Sequence, residues 1–313
     1  MKILFIPLLL LCCSACGLVG GLFGGKDDVE PNLPSLGPPF DCTNLPTQDD
    51  WDFIELEYTS EEFAFDKNGY VIIASDWSSA ILRENRTGDV EIIAPFQSEE
   101  LAGVDLFPNG DILFADEENG SLMKMTLSGE ESVVAGALLS PNSVIVHPDG
   151  MVFTTAFDAI LEVIPGSGTV TTLVEPGGYD LDGLTLSRDF QYLWFNEDEL
   201  GGVYRVRVDG TGDATLMAEV DLAQGVELDG MTTDICGNVY ALHTDGHVTR
   251  IRPDGRTDEF VKLDPVGDDM WTSAVHFGSG RGGWRADALY IMDRFGGLFE
   301  VEVGVPGVPE PHL

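Results

Sequence analysis

Glu61, Asn142, Asp182 and Asp229 lie far apart in the chain, yet each stands eight residues before a tight turn or its remnant, anchored at Gly69, Gly150, Phe190 and Gly237. The same count from Gly110 and Gly280 reaches Ala102 and Thr272. Three carboxylates and one carboxamide, with no sulfur or imidazole in the register, form a ligand set for a hard divalent cation. Calcium suits it best, magnesium or manganese next, and zinc least. Taken singly, an Asp or Asn beside a turn caps backbone groups. Gathered in one place near a dry channel, the three acids repel one another unless a cation or protons neutralise them. A second set, Asp76, Asp116, Asn196, His243 and Asp293, ends the following apolar runs. Together with Asn142, its Asp and Asn members are expected to hold substrate. His243, with an ordinary pKa near neutrality, is a candidate general base.

The elements that must position these residues repeat six times between Glu61 and Val303. The turns are Lys67-Asn68-Gly69, Pro108-Asn109-Gly110, Pro148-Asp149-Gly150, Ser187-Arg188-Asp189-Phe190, Asp234-Ile235-Cys236-Gly237 and Gly278-Ser279-Gly280. Their spacing of roughly 40 to 47 residues is near that of four-stranded propeller blades. Runs such as GYVIIASD, SAILREN and DVEIIAP are alternating or wholly apolar and are bounded by Gly, Asn and Asp, which reads as strand and turn rather than helix. The expected fold is all-β, a six-bladed β-propeller over residues 51–304. Its last unit lacks a fourth strand, because Pro306, Pro309 and Pro311 interrupt the C-terminal segment 305–313. The orphan run Trp51–Tyr58 is expected to supply that strand, closing the ring and hiding an open edge. A position that opens the innermost strand of each blade then recurs around the central axis on one face.

Composition narrows the partners. With 54 Asp plus Glu against 16 Lys plus Arg, the formal charge is −38, which repels nucleic acid and anionic lipid and attracts cations. Residues 1–15 read as an export signal: Lys2 precedes an apolar run, Ile3–Leu11, too short to span a bilayer stably. The small residues before Cys16 resemble a lipobox, so Cys16 is expected to be acylated at a bacterial cell-envelope membrane. Without acylation the product would be periplasmic or secreted. Residues 16–50, rich in Gly and Pro, read as a tether. Cys42 and Cys236, the two cysteines outside the signal, suggest a disulfide in an exported chain. A closed ring gives no reason for obligate assembly, and a monomer is expected.

Residues 51–304 resemble the SMP-30, gluconolactonase and LRE-like family, whose members are six-bladed metal-dependent lactonases or related hydrolases. Glu61-Glu62-Phe63-Ala64-Phe65 stands where that family opens with Glu-Gly-Pro-x-Trp, Asp182-Gly183-Leu184 where it has Asn-Gly-Leu, and Asp229-Gly230-Met231 matches its Asp-Gly-Met. The resemblance implies that Glu61 is a metal ligand and that Asp229 is both ligand and general base. Asn142 looks like the third-blade asparagine that contacts metal or substrate. Ser140 stands where sugar-lactone enzymes often carry an arginine, which puts sugar-acid specificity in doubt. Asp at 182 adds a negative charge to the set.

The leading expectation is a metal-dependent hydrolase of lactones or related esters, with water deprotonated by Asp229 or His243. No Gly-x-Ser-x-Gly elbow argues for a covalent route. The alternative is a non-catalytic, surface-tethered binding propeller with a structural calcium ion. A streptogramin-lyase-like enzyme would need seven blades and catalytic histidines that this repeat does not place.

Overall fold

Period-two apolar runs punctuated by Gly, Asn and Asp give twenty-four strands among the described residues, in six four-stranded antiparallel sheets. The computed structural model describes residues 40–75, 78–96, 98, 100–175, 177–178, 180–267 and 269–313. The expected signal peptide, Cys16 and Asp76 lie outside them.

Each sheet is one blade of a β-propeller. The innermost strands are Phe63–Phe65, Leu101–Leu106, Pro141–Val146, Leu181–Leu186, Leu228–Thr233 and Thr272–Phe277. Burial falls from the axis outward. The second strand of blade 3, Val152–Ala156, is buried along its whole length, whereas its outer strand, Thr169–Val174, is mostly exposed. The cores accordingly sit between neighbouring blades. Phe63 and Phe65 of blade 1, for example, pack with Tyr290, Met292 and Leu298 of blade 6.

The ring closes as the sequence requires. Asp52–Glu55 pairs antiparallel with Gly297–Glu302, in the register Phe53 to Phe299, as the fourth strand of blade 6. Trp51 and Phe53 both meet the Phe299 ring edge-on at 5.0 Å. Residues just before this strand, assigned to the tether on sequence, are fastened to blade 5. Cys42 is disulfide-bonded to Cys236, Gln48 N–H donates to Phe260 O, and the buried Arg250 donates to Pro46 O at 3.0 Å.

The C-terminal segment turns beneath the ring. Ile235 N–H donates to Pro306 O, and Val308 N–H donates to Thr233 O. The buried His312 bonds Phe65 O through Nε2 at 2.7 Å. Residues 308–311 thus cross the lower end of the channel, over the ends of inner strands from blades 2 to 6.

Candidate active site

Each ligand candidate on an inner strand owes its direction to a bulge. The pairing of first and second strands slips between Pro141 and Val144, between Leu181 and Leu184, and between Leu228 and Met231. An extra residue in one strand breaks the ladder locally and re-aims a side chain. Asn142, Asp182 and Asp229 are the residues at these slips. The amide hydrogens they release are taken up by the second strands: Ser143 N–H donates to Thr155 Oγ1, and Gly183 N–H to Asn196 Oδ1, both at 3.0 Å.

Glycine following the ligand position lets the inner strands crowd together. A Cβ on Gly183 would lie 2.2 Å from Asp229 O, and one on Gly230 would lie 2.9 Å from Ala274 Cα. Neither position leaves room for a side chain, so Asp-Gly at both places joins a functional carboxylate to a backbone that its neighbour can approach.

Glu61, Asn142, Asp182 and Asp229 are brought to one end of the channel. Asn142 Nδ2 is 3.5 Å from Glu61 Oε1, and Arg294 Nη1 is 3.3 Å from Glu61 Oε2. Burial pushes the Asp182 carboxyl well above the usual carboxylate range, and Glu61, Asp198, Glu62 and Glu117 push the same way. Asp229 is likewise raised, first by burial and then by Asp182, Glu61 and Glu62, with Arg294 opposing. Two carboxyls that resist ionisation beside two further acids have the electrostatics of a site awaiting a positive charge or shared protons. The all-oxygen donor set fits a hard cation. Among the described residues, however, no group of three or more His, Cys, Asp or Glu side chains is arranged to hold a metal ion. Arg294 supplies a positive charge in direct contact with Glu61.

The second expected ring is used differently. His243 is buried, its Nε2 is 2.9 Å from Thr249 Oγ1, and its ring stands 5.8 Å from that of His247. Burial pushes it down to about 4, and the charges acting on it come from Asp245, His247 and Glu259, with none from the channel acids. It is therefore not gathered with Asp229 as a general base. Asp116 accepts from Ser98 Oγ at 2.7 Å and from Asn119, and Asp293 accepts from Trp271 N–H and Phe295 N–H, both at 3.2 Å. Both act as turn caps, Asp293 through Oδ1 alone, while Asp116 uses both carboxylate oxygens. Asn196 is fully buried, and its amide spans two blades, accepting from Gly183 and donating to Asp229 O at 2.6 Å. It positions both aspartates rather than touching substrate.

Four participants were missed on sequence. Arg294 directly follows Asp293, and a cation beside the second ring of so acidic a chain was the available signal. Glu62 and His276 meet lower in the channel, with His276 Nε2 2.8 Å from Glu62 Oε1, and Glu310 of the C-terminal segment lies 3.7 Å from His276 Nδ1. These residues line a cavity of about 60 Å³ bounded also by Asp105, Met231 and Val308, room for roughly four waters. Residues 304–313 gave no hint of this in sequence, because nothing local tells a proline-rich segment to fold back.

Comparison with known proteins adds to this geometry. No family model matches the chain. It is 29% identical over 245 residues to pentonolactonase XacC of Haloferax volcanii, covering 69% of this chain and 81% of that one. Among solved structures, a gluconolactonase from Xanthomonas campestris superimposes with a TM-score of 0.67 at 16% identity, covering 88% of this chain and 99% of that one. Regucalcin from Agrobacterium tumefaciens, a calcium-binding protein, superimposes with a TM-score of 0.62 at 18% identity, covering 85% and 96%. At these identities the two structures speak for the propeller fold. With the pentonolactonase, they bear out the resemblance to the SMP-30 and gluconolactonase group.

Proposed function

We propose that this protein is a hydrolase that opens lactones at the end of the channel where Glu61, Asn142, Asp182 and Asp229 meet. The observation that carries the proposal is the half-buried, mutually repelling pair Asp182 and Asp229 beside Glu61, and the similarity to a pentonolactonase supports it. A carboxyl held above its ordinary range is, once ionised, a better proton acceptor than an ordinary aspartate. In this reading Asp229 takes a proton from water as its oxygen attacks the ring carbonyl carbon. The ring C–O bond then breaks, and the departing alkoxide recovers a proton to give the hydroxy acid. Asn196 holds the Asp229 backbone in place during the exchange. Glu61, kept at the mouth by Arg294 and Asn142, adds to the negative charge that Asp229 feels from Asp182.

A divalent cation, for which calcium is the best match, would be held by Glu61, Asn142, Asp182 and Asp229 and would polarise the lactone carbonyl while neutralising the carboxylates. Export and acylation at Cys16 belong to the same proposal, and a Cys42–Cys236 disulfide fits an oxidising compartment.

The test uses the full chain, stripped with chelator, and follows hydrolysis of a lactone panel as calcium, magnesium, manganese or zinc is restored. Metal-restored turnover that Asp229→Asn removes while melting stays cooperative is the expected result. Unchanged turnover in Asp229→Asn sinks its role as base. A calcium-dependent rise in Tm with no turnover of any lactone would favour a binding propeller with a structural ion.

A further inference from the structure

The blade topology fixes which loops surround the mouth. Every innermost strand begins at the end of the channel where Asn142, Asp182 and Asp229 stand, so the loops entering inner strands and the turns after second strands share that face. In a chain of net charge −38, six large apolar side chains stand open there among the described residues, including Leu200 (57%) at blade 4 and Val266 (48%) in the loop entering blade 6. Leu139 is 67% exposed and Phe157 47% at blade 3; Trp271 is 45% and Phe295 56% at blade 6. Blades 3 and 6 are opposite one another in a ring of six.

Both pairs are joined to the site by hydrogen bonds. Arg294 N–H donates to Trp271 O at 2.9 Å, and the Arg294 guanidinium reaches Glu61. Across the channel, Phe157 N–H donates to Ser140 O, two residues before Asn142, whose amide reaches Glu61 from that side. Phe157 also has φ +56°, with Ser140 at +46° and Ala137 at +60° in the same rim. A bulky side chain rarely adopts this left-handed backbone, and such outliers persist only where their surroundings hold them. Here Leu181 N–H donates to Phe157 O at 3.0 Å, so both backbone groups of Phe157 are committed and its ring is held out over the rim.

We propose that these facing apolar walls select lactones bearing an alkyl or aryl substituent, in preference to polyhydroxylated sugar lactones. The inference rests on the lactonase reading given above. The ring carbonyl enters toward Asp229, and the substituent lies on the rim against Phe157 and Leu139 or Trp271 and Phe295. An apolar chain gains by leaving water for such a wall, whereas a sugar's hydroxyls would lose hydrogen bonds there without replacement.

The experiment measures KM on the full chain for γ-butyrolactone, γ-valerolactone, γ-nonalactone and ribonolactone. Full burial of a methylene is worth about fourfold in affinity. On a half-open rim about twofold per methylene is expected, hence about thirtyfold from butyrolactone to the pentyl-substituted nonalactone. Phe157→Asn, which accepts the left-handed backbone, and Trp271→Ala should each flatten that dependence severalfold. Ile92→Ala, on the outer strand of blade 1, should leave it intact. A flat dependence on chain length, or a lower KM for ribonolactone than for nonalactone, overturns the proposal. If no lactone is turned over, the lactonase reading falls and the rim is judged by calorimetric binding alone. Tighter binding of nonalactone than ribonolactone, lost in Phe157→Asn, upholds the rim, and equal or reversed binding refutes it.

Discussion

Alkaline pH should weaken this fold through one histidine. Burial works to lower the pKa of His276, but Glu62 at 2.8 Å and Glu310 at 3.7 Å outweigh it and push the imidazole up to about 10 from its ordinary 6.5. A group whose folded pKa is raised contributes stability that is complete below its unfolded pKa and is lost as pH rises through the folded one. Between pH 6.5 and 10 the native state keeps a proton that the unfolded chain has released, so unfolding free energy falls by about 1.4 kcal/mol per pH unit. Over 10 − 6.5 = 3.5 units the ceiling is about 5 kcal/mol. The assay is urea unfolding at half-unit steps from pH 6 to 10.5, comparing the wild type with His276→Gln. The comparison is made as a difference, because Asp182 and Asp229 also have raised pKa values and contribute to both proteins. The wild type should lose about 3 kcal/mol more than the variant between pH 7 and 9.5. Glu310→Gln should show a smaller excess, with only Glu62 left to hold the proton. Parallel curves for wild type and His276→Gln would refute a protonated channel histidine.

Two further outcomes follow from the same packing. The Cys42–Cys236 bridge closes a sequence separation of 194 residues, for which the chain-entropy relation gives about 5 kcal/mol. Cys42→Ser with Cys236→Ser should lower urea stability by several kcal/mol while the circular dichroism of the folded state stays unchanged, and a loss under about 1 kcal/mol would contradict that account. In Gly183→Ala the new Cβ would lie 2.2 Å from Asp229 O, so the inner strands of blades 4 and 5 must separate. We expect about 1–3 kcal/mol of destabilisation and at least tenfold lower lactone turnover, with Gly267→Ala, whose Cβ meets nothing within 4 Å, as the neutral control.

The sequence by itself determined the repeat, and with it most of the architecture. A six-fold cycle of apolar runs and Gly-rich turns dictates four strands per unit, and the prolines after Val303 deny the last unit its own fourth strand, so Asp52–Glu55 had to close the ring. Shared register likewise gathered Glu61, Asn142, Asp182 and Asp229, because equivalent positions in a closed ring meet at its axis. Tertiary structure decided what each polar group does there. Asp116, Asn196 and Asp293 have the right register for substrate, yet their hydrogen bonds go to turns and neighbouring strands. His243 faces Thr249 and His247 within its own blade. Spacing along a strand fixes where a residue lies along the channel, but which side of the sheet it serves depends on bulges and on the next blade. The Glu62–His276–Glu310 set goes further, joining blades 1 and 6 to the returning C-terminal segment. Its members are 214 and 34 residues apart, and only the packing that brings them together under the ring gives them a common charge balance.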